Sequence, residues 1–585
     1  MRRFLFLSIA VAFSLTLLLS AEATAKKEVK YALAVLHYNL QYVAGDTEIE
    51  NKIIVESLDP VLDFFIEHPE WNSDIEMQGY MVEETQKRYP ETFEKLKKLV
   101  NSGRLDLNSF HYCDELFLAY PRLDADWSDR LNKRIYKKLG IRQSGSVFAQ
   151  EGQFGEGMAK FMADFGFKAI ILPKNLHRHV HGDVEAMPYY ALNGVDMVLG
   201  GRAVDYEDEN AVVKLQWTYL NDAELLPTAA TPYSQYFKYK PETMMKYGQK
   251  LQDLADQGYR IGTLAEYLAD VKEAGVQPSE PDPMIDGVWQ PIDTDNIYRW
   301  MGDYLGQHER DMQVLTGNVK VRHKLAAVEV LVNMPELGKS KDELTDKLYE
   351  AWRRQSHAEV SDSTGWTPLP LEIEYSRSNA AAAEKIADEI AEYAKKELGA
   401  AALVVDVASG SVEKLDAAPA DPKYPEVDCP AGYTFEGEIK NKRITCYKIS
   451  DQAIEMELLF KTGSWLHNHT KLTFERKADY MLFSPSLWET HYVKYPVSGF
   501  KTELPAVTIP CSNGLIALDD NLFLIKETDT VHSAYRFGIE EKFVSLEIRK
   551  PPAKKYKWIV FLFTGTPEEA VEFANSRNVF PKVVF

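Results

Sequence analysis

The chain has 585 residues, of which 45% are hydrophobic and 26% are charged, which is enough material for several globular domains. Its formal net charge of −21 argues against a nucleic-acid partner, because no basic surface is available to neutralise phosphates. The same balance is typical of a soluble protein that acts on a neutral substrate.

The first 25 residues have the pattern of a secretory signal peptide. Met1, Arg2 and Arg3 form a short positive start, residues 4–20 are apolar, and residues 21–25 offer A-x-A cleavage sites. An uncleaved membrane anchor is the alternative, but the apolar run is near the lower limit for crossing a bilayer. We therefore expect a periplasmic or secreted protein that has no membrane attachment after cleavage.

Strand-like and helix-like segments alternate from residue 26 to about residue 280. The predicted strands cover residues 29–36, 76–81, 103–108, 146–149, 169–172 and 212–219. The predicted helices cover residues 53–67, 90–101, 127–139, 157–165 and 241–257, and one more follows Thr263. So many βα units in series imply a parallel sheet that closes on itself. The fold class that we predict is α/β, with a distorted seven-stranded β/α barrel over residues 26–280.

The remainder of the chain has two other patterns. A Pro-rich stretch at residues 278–283 is a plausible linker, and residues 281–400 show helical periodicity that predicts a helical bundle. Residues 401–585 contain short alternating segments, such as 454–460 and 544–548, that predict a β-sandwich-like domain. Cys429 and Cys446 could pair there in an oxidising compartment, and the absence of a CxxC motif gives no indication of a zinc ribbon.

Polar residues follow the ends of four predicted barrel strands, where the chemistry of such barrels is located. These residues are His37 and Asn39, then His111, Asp114 and Glu115, then Glu151, and finally Asp222 and Glu224. Cleavage of a glycosidic bond needs two carboxyl groups that face one sugar, and Glu151 and Asp222 are placed to meet across one cleft. For a single carboxylate at a strand end the alternative is helix capping. For Glu151 this alternative is weaker, because Gly152, Gly155 and Gly157 would let a ligand approach the backbone.

Five segments, in this order, resemble the motifs of glycoside hydrolase family 57 and its relatives in the glycoside hydrolase/deacetylase barrel superfamily. They are VLHYNLQY, SGRLDLNSFHYCDELFLAYP, SVFAQEGQFGEGMAKFMADFGFKAIIL, WTYLNDAELL and AEVSDSTGW, which together extend over roughly residues 29–366. The chain departs from the family pattern at Asn39, where the first motif has its second histidine, and at Gln150, where a proline precedes the nucleophile.

The resemblance implies a retaining glycosidase or transglycosylating enzyme that acts on α-linked oligo- or polysaccharide without a metal or cofactor. It implies that Glu151 is the nucleophile and Asp222 the general acid/base, and we hold Glu224 as a reserve acid. The substrate-binding residues would be His37, Asn39, His111, Asp114, Glu115, Glu224, Trp289, Trp300 and Asp362. Of these, Trp289, Trp300 and Asp362 would come from the helical region to close the cleft. The partner would be a carbohydrate, and the sequence does not fix the oligomeric state.

Three alternatives stay open at this point. Family 38 mannosidases share the layout, but their zinc site needs a His and an Asp from the first motif, and Asn39 is a poor zinc ligand. His177, His179 and His181 alternate in a predicted extended loop and could serve a metal-dependent polysaccharide deacetylase. A catalytically inactive periplasmic glycan-binding protein is the third.

Overall fold

The computed structural model describes residues 26–230, 236–289, 308–364, 369–436, 443–461, 469–502, 504–549 and 555–585. It has three parts in chain order: a parallel β/α barrel, a group of long helices, and a set of antiparallel sheets. The predicted signal peptide at residues 1–25 and the predicted site residue Trp300 lie outside the described residues.

The described barrel is built on strands whose bounds follow the predicted βα pattern. They are β1 (Lys27–Tyr38), β2 (Ser73–Met77), β3 (Leu105–Leu107), β4 (Ser146–Val147), β5 (Ala169–Pro173), β6 (Tyr190–Leu192), β7 (Val195–Gly200), β8 (Val204–Glu207), β9 (Ala211–Asp222) and β10 (Arg260–Ile261). Seven of them form two parallel runs in the orders β3-β2-β1-β9 and β4-β5-β7. The short β10 pairs with the start of β1, and β6 and β8 are antiparallel additions at the edges.

Two contacts join these runs into a barrel. The Phe148 N–H donates to the Asn108 carbonyl at 3.1 Å, which connects the ends of β4 and β3. On the other side, the Leu220 side chain of β9 packs directly against Gly200 of β7, where there is no room for a larger residue. The predicted distorted seven-stranded barrel is therefore confirmed. Its carboxyl ends converge on one opening, as in other βα barrels.

Helices surround the barrel and connect its strands. They are α1 (Thr47–Lys52), a π-helical stretch (Ile53–Leu58), α2 (Asp59–Glu67), α3 (Gly79–Arg88), α4 (Pro90–Asn101), α5 (Arg122–Leu139), α6 (Glu156–Asp164), α7 (Lys174–His181), α8 (Pro241–Asp256) and α9 (Leu264–Glu273). Local signals fix several ends: Asp46 caps α1, and Thr263 with Glu266 forms a capping box on α9. The sequence-based strand at residues 76–81 was wrong in its second half, because β2 ends at Met77 and α3 begins at Gly79.

Among the described residues, three long helices follow the barrel: α10 (His308–Val332), α11 (Lys341–Ala358) and α12 (Pro370–Leu398). They pack on one another through apolar residues such as Leu325, Leu348 and Ile390, and the buried alanines of α12 allow close approach. Gly399, in the left-handed region at φ 66°, ends α12.

The C-terminal part is mainly antiparallel sheet. Its described strands are β11 (Ala402–Asp406), β12 (Ser411–Leu415), β13 (Glu426–Val427), β14 (Tyr433–Glu436), β15 (Arg443–Lys448), β16 (Ala453–Lys461), β17 (His469–Glu475), β18 (Tyr480–Phe483), β19 (Val493–Pro496), β20 (Ala506–Ile509), β21 (Leu515–Asp519), β22 (Leu522–Lys526), β23 (Tyr535–Gly538), β24 (Phe543–Arg549), β25 (Lys555–Thr564) and β26 (Lys582–Val584). The helix α13 (Pro567–Asn578) follows β25.

Two of these sheets pack face to face. One has the order β13-β15-β16-β25-β22-β21-β18-β19 and the other β14-β17-β24-β23-β20, and both contribute to one buried apolar cluster that includes Trp558 and Leu546. This is the predicted sandwich-like arrangement. A third sheet, β12-β11-β26, lies against α10. The division of the chain at residues 280 and 400 stays a prediction.

Cys429 and Cys446 are joined by a disulfide in the C-terminal part, whereas Cys113 and Cys511 are free and buried. Within the described residues, no helix combines the length and the apolar character that crossing a bilayer requires.

Candidate active site

The carboxyl end of β1 brings His37 and Asn39 to the barrel opening. Because β1 and β9 pair in parallel, His37 lies in register with Asp222. The His37 Nδ1 donates to the Glu76 carboxylate of β2. The Asn39 side-chain amide donates to Asp362 Oδ2 at 2.6 Å. These bonds place residues from β1, β2 and the loop before α12 around one point.

Glu151 follows β4 in a tight turn at residues Gln150–Gly152. Its backbone has φ 55° and ψ 20°, a left-handed conformation that is unfavourable for a residue with a side chain. The Trp289 indole N–H donates to Glu151 Oε2 at 2.8 Å, and the Trp289 backbone N–H donates to the Glu151 carbonyl at 3.1 Å. A strained, buried carboxylate with a dedicated donor is typical of a functional position.

Asp222 and Glu224 differ in how they can be reached. Asp222 ends β9 and is partly exposed, whereas Glu224 is fully buried and accepts the backbone N–H of Asn39. Burial raises the pKa of the Asp222 carboxyl, against the opposing charge of His37. Burial and the charge of Asp222 raise the pKa of Glu224 well above its usual value. Asp222 is therefore the carboxyl that a ligand in the opening would meet.

The phenol of Tyr42 lies within electrostatic range of all these carboxylates. Burial raises its pKa, and the negative charges of Asp222, Glu224, Asp362 and Glu151 each raise it further. Glu151 also acts on Asp362, whose pKa burial raises well above its usual value. The structure therefore brings both predicted catalytic carboxylates and Asp362 to the same cleft, with Tyr42 among them.

The predicted site residues His111, Asp114 and Glu115 are buried and bonded to other groups of the protein. His111 is fully buried, and its Nε2 lies 2.9 Å from Glu76 Oε1 and 3.7 Å from Asp114 Oδ1. Burial raises the pKa of Asp114 to about 6, although its contact with His111 acts the other way, and the Gln78 amide donates to its carboxylate. Glu115 accepts the Ser128 hydroxyl of α5. His111, Asp114 and Glu115 are thus at most 2% exposed and are held by contacts within the protein.

Trp289 was predicted to reach the cleft from the helical region, but it belongs to a segment that pairs with the barrel loop itself. Phe154 and Gly287 exchange backbone hydrogen bonds at 3.0 and 2.9 Å. Trp289 then packs on Gly152, which has φ 55° and no room for a Cβ. The role that this geometry gives Trp289 is to hold Glu151.

The glycines after Glu151 also have a different use from the predicted one. A Cβ on Gly155 would lie 2.0 Å from Asp286 Oδ1, and one on Gly157 would lie 1.9 Å from the Ser486 carbonyl oxygen. The glycines therefore admit protein rather than ligand. They let the segment at Asp286 and the C-terminal β-sheet part pack against the catalytic loop.

Sequence reasoning missed Glu76, which is fully buried on β2 between His37 and His111. A signal was present, because Glu76 is an acidic residue one position before the end of a strand that is otherwise fully buried. The predicted strand began at this residue instead of ending after it, so the rule about strand ends was not applied to it.

The histidine cluster is not the predicted extended loop. It forms α7, in which residues are turned by about 100° each, so His179 faces away from His177 and His181. The His181 Nε2 donates to the Pro283 carbonyl at 2.6 Å, and burial lowers the pKa of His177 to about 4. Among the described residues, no group of three or more His, Cys, Asp or Glu side chains could hold a metal ion.

Comparison with known proteins supports the family resemblance for the barrel. The description "Glycosyl hydrolase family 57" matches residues 19–275. Alpha-amylase 1 of Dictyoglomus thermophilum is 25% identical over 147 residues, which cover 25% of this chain and 21% of that protein. An alpha-amylase of Pyrococcus horikoshii is 23% identical over 142 residues, 24% of this chain and 22% of that protein. The chain thus aligns with about a fifth of the length of these curated relatives.

Among solved structures, the chain is similar to an alpha-mannosidase from Enterococcus faecalis V583. The TM-score is 0.61 at 11% sequence identity, and the match covers 96% of this chain and 90% of the mannosidase. A second Enterococcus faecalis protein, from glycosyl hydrolase family 38, has a TM-score of 0.55 and covers 95% of this chain. The similarity shows that barrel, helices and β-sheet part together form one known fold. The N-terminal barrel of the chain is similar to family 57.

Proposed function

We propose that this chain is a glycosidase or transglycosylase of the family 57 type, which acts on α-linked glucans with Glu151 and Asp222 as its two catalytic carboxyls. The observation that carries the proposal is that the Trp289 indole donates to Glu151 and packs against the ring of His37, which lies opposite Asp222 in the β1–β9 register. Two carboxyl groups that face one cleft are what glycosidic cleavage requires.

In the first step, Glu151 attacks the anomeric carbon. The new carbon–oxygen bond forms as the bond to the leaving oxygen breaks, and Asp222 gives its proton to that oxygen. The Trp289 N–H at 2.8 Å and the Gln150 side-chain amide at 3.3 Å each donate to one carboxylate oxygen of Glu151, which fixes the orientation of the nucleophile. The burial that raises the pKa of Asp222 keeps the carboxyl protonated to higher pH than in water.

In the second step, water or a sugar hydroxyl gives its proton to Asp222 and its oxygen displaces Glu151 from the anomeric carbon. Two inversions retain the configuration of the substrate. We propose this retaining course from the family resemblance, and it requires carboxyl groups about 5–5.5 Å apart instead of the 6.5–9.5 Å of inverting enzymes.

Polar side chains around the pair would orient the sugar. His37 and Asn39 come from β1, and Asp362 comes from the loop before α12, bonded to the Asn39 amide at 2.6 Å. Donors and acceptors held in this way match the hydroxyl groups of an uncharged sugar ring. The α-glucan assignment follows the alpha-amylases to which the barrel is similar.

We also propose that the protein is exported. The support is the signal-peptide pattern of residues 1–25 and the Cys429–Cys446 disulfide, a bond that persists mainly in oxidising compartments. Mass spectrometry of the protein from its native cell should show an N-terminus near Thr24 or Lys26. Cytosolic protein with an intact Met1 would refute the export proposal and would not affect the catalytic proposal.

The catalytic assignment is tested on α- and β-linked oligosaccharides with three variants. Glu151→Gln should abolish turnover but leave binding and folding intact, because the amide is isosteric and a poor nucleophile. Asp222→Asn should be slow on natural glucans and much less impaired on substrates with activated leaving groups. Asp106→Asn is the control, because this buried carboxylate on β3 is bonded to Ser144 and Arg142, away from the cleft.

Rescue with azide then distinguishes the nucleophile Glu151 from the acid/base Asp222, because the two variants should give glycosyl azides of opposite anomeric configuration. With Glu151→Gly, azide takes the place of the missing nucleophile and an α-glucosyl fluoride should give a β-glucosyl azide. With Asp222→Ala, azide attacks the intermediate and should give an α-glucosyl azide. Deacetylation that is sensitive to chelators and survives the loss of Glu151 would overturn the proposal and identify a deacetylase. Sugar binding without any turnover by the wild type would also overturn it and identify a glycan-binding protein.

A further inference from the structure

Glu76 joins two histidines of the candidate site through one carboxylate. Its Oε2 accepts from His37 Nδ1, and its Oε1 lies 2.9 Å from His111 Nε2. All three side chains are at most 1% exposed, so water does not compete for these contacts. Because β1 and β2 pair in parallel with His37 opposite Glu76, the contact is set by the barrel itself.

The charged surroundings of this trio come from several elements. From β9, Asp222 faces His37, and from the loop after β3, Asp114 faces both His37 and His111. From α5, the Tyr136 phenol lies within the influence of Glu76. Asp114 also faces Glu76, whose negative charge is among the causes that raise the pKa of Asp114. Glu115 faces His111, and Glu224 faces His37.

We propose that Glu76 is a positioning residue of the catalytic centre, which holds the His37 imidazole beside Asp222 and braces it with the His111 imidazole behind. This inference rests on the proposed function of the cleft. Glu76 itself does not touch the substrate in this arrangement. It acts by fixing Nδ1 of His37, which leaves Nε2 as the ring nitrogen that can serve the site.

The electrostatics agree with this geometry. Burial disfavours the charged form of both rings, but Glu76 with Asp114 more than offsets it, so the pKa of His37 lies well above its usual value and that of His111 rises to about 9. The two positive rings in turn hold the pKa of Glu76 below its usual value despite burial. His37 then stands as a cation next to Asp222 and opposes the rise of its pKa.

A glutamine at this position would have the same shape but could not serve both rings. Its carbonyl oxygen can accept from one ring N–H, whereas its NH2 would face the other donor. The buried imidazolium ions would also lose the nearest of their counter-charges, which acts on them more strongly than Asp114, so both rings should become neutral near pH 7. An aspartate keeps the charge with a shorter reach and should rescue part of the effect.

The test compares the full-length wild type with Glu76→Gln, Glu76→Asp and Asp74→Asn. Asp74 is the matched control, because it is a fully buried carboxylate on the same face of β2, bonded to Leu264 N–H and Asn108 away from the cleft. Ring signals of 13C-labelled histidine are followed by NMR from pH 5 to 9 and assigned with His37→Asn and His111→Asn.

We expect both rings to remain imidazolium at pH 7 in the wild type and in Asp74→Asn, and to be neutral there in Glu76→Gln. We expect kcat/KM on a glucan to fall about 10- to 100-fold in Glu76→Gln, the range for a lost charge-assisted hydrogen bond, with a shifted pH profile and partial rescue in Glu76→Asp. Wild-type rings that lose their protons below pH 7 would overturn the proposal without any variant. So would a pH profile of Glu76→Gln that matches Asp74→Asn. The NMR result stands even if the wild type shows no glycosidase activity, so failure of the proposed function is recognised separately.

Discussion

Glu151 and Trp289 illustrate what the site demands of single residues. Glu151 keeps a left-handed backbone at φ 55°, which costs on the order of 1–3 kcal/mol for a residue with a side chain. The cost is offset by the two hydrogen bonds from Trp289 and by the close fit of its ring on Gly152. These contacts hold the backbone of Glu151 in its left-handed conformation.

A prediction at this scale concerns the indole N–H. Trp289→Phe keeps an aromatic ring at this position but removes the N–H donor to Glu151, so kcat should fall about 10- to 100-fold with little change in KM. Trp127→Phe is the control, because it removes an equal bond from an indole N–H to Glu329 at 2.9 Å, between α5 and α10. Steady-state kinetics of both variants check this, and an equal loss of kcat in the two would contradict the assignment.

The sequence could predict the catalytic pair, Glu151 and Asp222, but not the residues that hold the catalytic groups in place. Glu151 and Asp222 were found because the carboxyl ends of parallel strands share one opening, and this rule needs only the strand pattern. Glu76 and the role of Trp289 depend on which residues touch across β1, β2 and a distant segment. No local pattern contains that information. The buried positions of His111 and Glu115 were missed for the same reason.

At the scale of elements, the loop at residues 151–157 packs on two other parts of the chain. The Asp286 carboxylate accepts the Ser486 N–H at 2.8 Å and also lies against Gly155. The Tyr495 hydroxyl donates to Glu156 and lies 3.0 Å from the Met284 carbonyl oxygen. The C-terminal β-sheet part therefore helps to shape the loop that carries Glu151.

A methyl group at Gly157 tests this packing. Gly157→Ala places a Cβ at 1.9 Å from the Ser486 carbonyl oxygen, which must move, so the free energy of unfolding should fall by about 1–3 kcal/mol and kcat should fall with it. Gly317→Ala, in the interior of α10 with nothing within 4 Å, should stabilise the protein by up to ~1 kcal/mol. Denaturant unfolding and kinetics check both. A Gly157→Ala variant as stable and active as the wild type would contradict the role of the contact.

Helices and strands could be predicted where the hydrophobic periodicity was strong. The predictions failed where one segment fits both the helical and the strand pattern. The helix at residues 90–101 was predicted with the bounds that the structure shows, helped by Pro90 at its first turn. The apolar run at residues 80–82 is compatible with the end of a strand and also with the buried face of a short helix. The structure places Tyr80, Met81 and Val82 in α3. The alternating histidines of α7 looked extended, but the helix separates them.

At the scale of the whole molecule, buried ionisable groups should limit stability at both ends of the pH range. Burial raises the pKa of several carboxyls in the folded protein, so the folded state binds more protons than the unfolded chain. The free energy of unfolding therefore falls as the pH rises from about 4.5 through the raised pKa of each group. These carboxyls are Glu115, Glu372 and Glu527, each raised to about 8, and Asp286, raised to about 7. The stability that His111 adds is present below about pH 6.5 and is lost as pH rises through about 9.

Buried neutral histidines act on the acid side. Burial lowers their pKa, so the unfolded chain binds more protons and stability falls as pH drops below about 6.5. They are His177, lowered to about 4, and His323, His357 and His532, each lowered to about 3. The melting temperature should therefore peak between about pH 5 and 6.5 and fall on both sides.

Thermal unfolding from pH 4 to 9 at constant ionic strength measures this profile. Glu527→Gln should flatten its alkaline limb, because one carboxyl with a raised pKa is removed. A melting temperature that keeps rising to pH 9 would contradict the prediction.

The central claim is that Glu151 forms the covalent bond to the sugar, and trapping that bond tests it most directly. Asp222→Ala should react quickly with an α-maltosyl fluoride, whose leaving group needs no acid, and then hydrolyse slowly for want of a base. Peptide mapping by mass spectrometry should find one maltosyl group on the peptide that contains Glu151. The double variant Glu151→Gln, Asp222→Ala should remain unlabelled. A maltosyl group on Glu224 or Asp362 instead, or no label in a protein whose wild type turns the substrate over, would contradict the account.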